Sequence, residues 1–283
     1  MNIEKNASRK LGVFWSFLSA FLWATVYVAT RWLMRGEQAK VDPVTLSLLR
    51  FSGGGLLLFL ICLATTPKSL FALSGRDYLK VALLSQFSFV GMSVFLFWGQ
   101  RYTTAINSSM IMSSAPVLTI LLGLFIGEKI SLRQGIGMAL GTLGCMMVIG
   151  VIAEHGFAYS PASFRGDLLV LVSALSWSIA AVYAKKVVTP GNDLAVTTWS
   201  MLFASVSLLV INCFRLGEIT LPQSGAVWSL MIYLAVFPTA LGFYAWNAAL
   251  GRQPEPCDDH AVSDSDHDNP HGMGPARRIP GTV

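Results

Sequence analysis

Apolar residues gather along this chain into eight runs, at 12–31, 44–64, 79–99, 104–126, 133–153, 167–185, 194–214 and 226–249. A helix needs about 20 mostly apolar residues to cross roughly 30 Å of hydrocarbon, and each run meets that length. Between them lie short connections carrying helix breakers: Asp42-Pro43, Thr66-Pro67, Ser160-Pro161 and Thr189-Pro190-Gly191. The strict alternation of barrel strands is missing. The pattern predicts an all-α polytopic membrane protein. Its first run is span-length and has no clear cleavage site, so we read it as a span and not as a cleavable signal.

Composition agrees and narrows the class. Of 283 residues, 54% are hydrophobic and 12% charged, against about 25% charged in a soluble domain. Too few charges remain to cover a water-facing surface, which excludes soluble, fibrous and disordered classes. Cys62, Cys145 and Cys213 lie inside apolar runs at no metal-like spacing and are expected to be buried small hydrophobes. The charge is unevenly placed. Residues 1–252 hold 18 Lys+Arg against 9 Asp+Glu, a formal +9, whereas 253–283 hold 2 against 6, a formal −4.

Basic residues near the span ends also set an orientation. With the N-terminus inside, eleven fall on the cytoplasmic side and six on the outer side, the bias that favours this orientation. The basic pI of 9.1 is therefore a topology signal, and no nucleic-acid-binding pattern accompanies it. We expect a bacterial inner membrane protein with a cytoplasmic N-terminus.

Two pairs of segments match at similar offsets, which points to an internal repeat; the alternative is chance among Trp-rich helices. A shift of 154 places Ser19-Ala20-x-x-Trp23 on Ser173-Ala174-x-x-Trp177, and a shift of 148 places Phe95-x-x-Trp98 on Phe243-x-x-Trp246. Five predicted spans separate the starts of the two copies, so the second enters from the opposite side. That is the inverted repeat of carriers that alternate access to a central site.

Candidate substrate-cavity residues follow from chemistry that is expensive at membrane depth. Arg50 is the only cation well inside a span and can present a bidentate fork to a carboxylate; the alternative is a cation that snorkels or bonds nearby carbonyls. Trp23 and Tyr27, four apart, share a helix face. With Trp177, Tyr183 and Tyr244 they can wall an amphipathic cavity, whereas Trp98 and Trp246, near span ends, read as interfacial belt residues. Asn107 opens the polar start of the fourth span; Met112 and Asn247 complete the candidate set. Gly53-Gly54-Gly55, Gly123-x-x-x-Gly127 and Gly137-x-x-x-Gly141 are expected to let helices approach, within the bundle or in a homodimer. Pro116 and Pro238 free backbone carbonyls inside spans and are candidate hinges. An intramembrane enzyme would need a nucleophile and base or metal ligands within the spans, and outside the tail the only histidine is His155. No catalytic residue, metal or cofactor is expected. The expected partners are a small-molecule metabolite substrate and the lipid bilayer.

Read together, Ser19-Ala20-x-x-Trp23, Pro43 to Leu49-Arg50-Phe51, Ser114-Ala115-Pro116-Val117, Gly127-Glu128-Lys129-Ile130-Ser131, Gln134-Gly135-x-Gly137 and Ala245-Trp246-Asn247-x-Ala249-Leu250 resemble the EamA-type members of the drug/metabolite transporter superfamily. The resemblance covers about residues 10–252. It implies ten helices in two five-helix inverted repeats, termini inside, and export or exchange of small metabolites, often amino acids. Mapped onto this chain, 1–155 form the first repeat, 156–252 three helices of the second, and 253–283 a polar tail. Eight of the ten expected helices are present.

The tail departs from that pattern where a ninth helix is expected. Asp, His and Asn codons read one base later always yield Ile, Met or Thr, and Met273 followed by Gly274 must yield Trp. Residues 253–279 can thus encode an apolar span in the shifted frame, which makes a frameshift near codon 252 our expectation. The alternatives are a disordered acidic tail or weak metal chelation by its Asp and His side chains. A chain ending so is either a metabolite carrier or a non-functional fragment of one.

Overall fold

The computed structural model describes residues 2–34, 41–127, 135–137, 139–141, 143, 161–189, 191–215, 222 and 224–250. Among them, seven helices are long and apolar enough to cross a membrane. They are α1 (Asn2–Met34), α2 (Pro43–Thr65), α3 (Gly75–Gly99), α4 (Ala105–Phe125), α5 (Pro161–Ala184), α6 (Asp193–Phe214) and α7 (Gly225–Ala249). Seven of the eight predicted runs thus appear as helices. Of the fifth run, 133–153, only 135–137, 139–141 and 143 are described, all helical; the rest of it and the tail after Leu250 lie outside the described residues, as do Cys145, Glu128 and His155.

The helix starts follow local chemistry. Asp42 accepts hydrogen bonds from the backbone amides of Val44 and Thr45, at 3.0 and 3.2 Å, and Pro43 occupies the first turn, where its missing N–H costs nothing. Ser74 caps α3 by accepting from the Asp77 amide. That cap starts α3 four residues before the apolar run, adding a polar turn in which Lys80 pairs with Asp77. Gly127, expected to join a helix seam, instead stands past the end of α4 at φ 87°. It is a left-handed terminator, a conformation glycine adopts without steric cost.

Packing is set by antiparallel pairs. The start of α2 meets the end of α6, where Arg215 Nη1 lies 3.2 Å from Asp42 Oδ2 and Thr45 Oγ1 donates to Asn212 Oδ1 at 3.1 Å. Farther along the same pair, Cys62 Sγ contacts Thr198 Oγ1 at 3.3 Å. α1 runs against α7 and α3 against α5. By contrast, α4 and α5 run parallel: Thr103 meets Asp167, Met112 meets Ser173, and Ala115 meets Ser178. Large apolar side chains such as Phe17, Phe125 and Phe214 face outward, as they do when hydrocarbon is the solvent. Cys213 joins them and is exposed, which corrects the expectation that it is buried: Asn212 beside it takes the inward face.

Three of these helices are irregular where the sequence pattern predicts regular ones. α3 contains a π-helical segment, Gln86–Gly91, and α7 another, Ala235–Leu241. α4 breaks at Ser113-Ser114 and restarts with Pro116 in its first turn. Irregular backbone at membrane depth must have its polar groups satisfied by protein, and neighbouring helices do this. Ser176 Oγ donates to the Phe87 carbonyl at 2.9 Å, and Trp23 Nε1 to the Pro238 carbonyl at 3.0 Å. Ser178 Oγ is 2.9 Å from the Ala115 carbonyl.

Candidate substrate cavity

Arg50 lies in the third turn of α2, which begins at Pro43, and is 4% exposed. Its position is fixed by an irregularity in α7. Pro238 has no amide hydrogen, so the Leu234 carbonyl loses its ordinary helical partner. The π segment shifts the pairing on by one residue, and the Thr239 hydroxyl adds a bond, donating to Leu234 O at 2.7 Å while its oxygen accepts from Arg50 Nε at 2.7 Å. The guanidinium carbon also stands 5.1 Å from the Phe51 ring centroid and 5.9 Å from that of Phe97, within cation–π range. Among the described residues no Asp or Glu pairs with Arg50.

The rest of the guanidinium faces a cavity of about 340 Å³, lined by Trp23, Val26 and Tyr27 of α1, Arg50, Met92 and Leu96 of α3, Met112, Ser113, Ala115 and Pro116 of α4, Trp177 of α5 and Phe243 of α7. Small-molecule sites span roughly 300–1,000 Å³, so this one suits a small occupant. Tyr27 is held by the neighbouring α3: Gln100 Nε2 donates to the Tyr27 carbonyl at 3.3 Å, while Arg31 Nη1 donates to the Gln100 carbonyl at 2.7 Å. Trp23 packs against Phe243, with centroids 5.0 Å apart, and its indole N–H is already committed to Pro238 O.

Of the nine candidates, the fold brings Trp23, Tyr27, Arg50, Met112 and Trp177 to this one cavity. A second hollow, of about 420 Å³ between α1 and α4, shares Trp23, Tyr27, Met112 and Ser113 with it. Asn247 lines a third, of about 470 Å³, with Trp177, Lys185, Asp193, Thr197 and Ser200. There its amide donates to the Phe243 carbonyl at 2.7 Å and to Thr197 Oγ1 at 3.3 Å. The other three stand elsewhere. Asn107 sits in the first turn of α4, its amide bonded to Thr104. Tyr183 packs with Val81, Leu84 and Val196, and Tyr244 meets the Trp15 ring edge-on at 6.1 Å. Sequence reasoning missed Thr239 and Phe97. The proline at 238 was the available signal for the first; nothing local marks the second.

The sequence matches the EamA-like transporter family over residues 10–150 and again over 164–254. The chain belongs to the EamA-like transporter family. The family and the relatives named here are transporters, not enzymes. Similar EamA proteins include the "Probable terminal-alkyne amino-acid exporter" of Streptantibioticus cattleyicolor, 26% identical over 83% of this chain and 78% of that one. The "Aromatic amino acid exporter YddG" of Ancylobacter novellus is 24% identical over 87% and 81%. This chain spans 63% of the "Uncharacterized transporter YyaM" of Bacillus subtilis, which is 25% identical over 69% of this chain, and 60% of the "Uncharacterized transporter YetK" from the same organism. A solved crystal structure shares the fold at TM-score 0.61, with 22% identity over 87% of this chain and 80% of its own. The EamA match thus assigns the seven described spans to a multi-pass transporter fold.

Proposed function

We propose that this protein is an alternating-access carrier that exports or exchanges a small carboxylate-bearing metabolite through the cavity at Arg50. The carrying observation is Arg50 itself: buried, anchored through Nε, without an acidic partner among the described residues, and facing a cavity. A charge at that depth is costly and calls for a counter-ion, and a guanidinium fork matches a carboxylate. Anchoring by Thr239 in the middle of the bundle argues against snorkelling. Two relatives whose names describe amino-acid exporters support the substrate class.

Support for alternating access comes from the pairing of helices. Exchanging α1 with α5, α2 with α6 and α3 with α7 maps the α1–α7 contact onto the α5–α3 contact and the α2–α6 contact onto itself. α2 and α6 are antiparallel, the relation that equivalent helices hold in an inverted repeat. Both π segments begin at matching places, Gln86 and Ala235, 149 residues apart. In each, a side chain of the other repeat's first helix caps a carbonyl, Ser176 on Phe87 and Trp23 on Pro238. The parallel run of α4 and α5 supports one further crossing between them, where the fifth apolar run lies. With the basic residues counted as above, the N-terminus lies in the cytoplasm and the bilayer is the bacterial inner membrane.

The test is counterflow in proteoliposomes holding this chain, with a panel of labelled amino and organic acids. Saturable flux that Arg50→Ala abolishes, with reconstitution yield unchanged, is expected. Equal flux in that variant removes Arg50 from the site, and no flux of any acid overturns carriage by this chain.

A further inference from the structure

We infer that the cavity at Arg50 selects apolar monocarboxylates over zwitterionic α-amino acids. The inference rests on the carrier reading and narrows its substrate class. It follows from the charge and hydrogen-bond balance of the wall. Among the residues lining the cavity, Arg50 is the one charged side chain and none is acidic. Two lining donors are committed elsewhere: Trp23 Nε1 donates to Pro238 O, and the Ser113 hydroxyl donates its proton back to the Ser109 carbonyl at 2.8 Å.

What remains for an occupant is donor-rich. The terminal nitrogens of Arg50 carry four N–H bonds, and among the described residues the guanidinium's bond to protein is the Nε bond to Thr239. The Tyr27 hydroxyl on the same wall is a further donor. This set completes an oxyanion. The opposite walls, Met92, Leu96, Met112, Trp177 and Phe243, offer apolar and aromatic surface to the body of the ligand.

An α-ammonium arrives with three donors of its own and meets no carboxylate. It must shed water beside a guanidinium of like charge, a cost that a site without an anionic partner does not return. Cation–π contact with lining aromatic faces such as Trp177 and Phe243 recovers only part of that cost and supplies no hydrogen-bond acceptor. A site of net charge +1 is therefore matched by a ligand of charge −1 with one ring or a short branched chain, the size a cavity of about 340 Å³ holds.

The experiment is calorimetric titration of the purified chain in lipid nanodiscs with three compounds on one scaffold: 3-phenylpropanoate, phenylalanine and phenethylamine. We expect 3-phenylpropanoate to bind at least tenfold more tightly than phenylalanine, and phenethylamine not to bind. Arg50→Gln is expected to weaken 3-phenylpropanoate at least tenfold. Met112→Trp, which fills the cavity and leaves the Arg50–Thr239 contact in place, is expected to do the same and covers the case in which Arg50→Gln does not fold. If phenylalanine binds as tightly as 3-phenylpropanoate and both depend on Arg50, the selectivity is wrong and the carrier reading stands. If binding ignores both variants, or none of the three compounds binds, Arg50 is not the substrate site and both readings fall.

Discussion

Arg50 of α2 and Thr239 of α7, 189 positions apart, meet at 2.7 Å inside the bundle, and the same Thr239 hydroxyl donates to the Leu234 carbonyl at the start of the π segment. One side chain therefore ties a buried cation to an irregular helix. Removing the hydroxyl while keeping the shape, in Thr239→Val, leaves Arg50 Nε without its partner. An unsatisfied buried polar group costs about 1–3 kcal/mol, more beside a charge. Thermal unfolding in detergent is expected to show that loss, with Thr239→Ser near the parent.

Gly54 of α2 tests how closely α2 and α7 must approach. A Cβ there lies 2.5 Å from Thr239 Cγ2 and 2.9 Å from the Ala235 carbonyl, so even Gly54→Ala forces the π segment outward. Overpacking of this kind costs about 1–3 kcal/mol, and here it also displaces the partner of Arg50. Reduced flux and a lowered melting temperature are expected together. Gly75→Ala, where a Cβ has nothing within 4 Å, is the matched control and should unfold no earlier than the parent.

The pair Asp42 and Arg215 joins the start of α2 to the end of α6. Asp42 is also the N-cap of α2, so Asp42→Ala removes two functions and Asp42→Asn chiefly one. Losing a cap costs about 0.5–2 kcal/mol. We expect the Asn variant to keep most of the stability that the Ala variant loses, measured by the same melts in low salt.

Trp23 and Ser176 each donate to a carbonyl of a π segment. Trp23→Phe and Ser176→Ala each remove one of these bonds, at about 0.5–1.5 kcal/mol, the Phe87 carbonyl keeping the Met92 amide. If the π segments are where the halves flex, counterflow rates should fall several-fold in both variants while Arg50-dependent binding persists. Unaltered rates in both would assign these bonds to stability alone.

Much of the fold was legible before any coordinates. Seven described helices overlap seven predicted runs, α1 and α5 starting well before theirs at Asn2 and Pro161, because a span is fixed by a local quantity, the length of chain that can lie in hydrocarbon. The cavity residues were partly legible for a related reason: Trp23, Tyr27, Arg50, Met112 and Trp177 are residue types or positions that stand out in an apolar helix. Tyr183 and Tyr244 stand out equally, yet they face other clusters, since a helix interior so uniformly apolar carries little periodic signal of which face turns inward. Cys213 misled for the same reason.

By itself, then, the sequence determined the membrane class, seven spans and the helix break at Asp42-Pro43. Each depends on neighbours along the chain or on residue type alone. Only the tertiary structure decided that Thr239 would hold Arg50, that Phe97 would lie beside it, and that α3 and α7 would carry π segments capped from another helix. Those outcomes depend on which helices approach closely enough to satisfy a carbonyl or a cation far from water. In a bundle without water inside, the partner must be found across the interface, here 89 to 215 positions away in the chain.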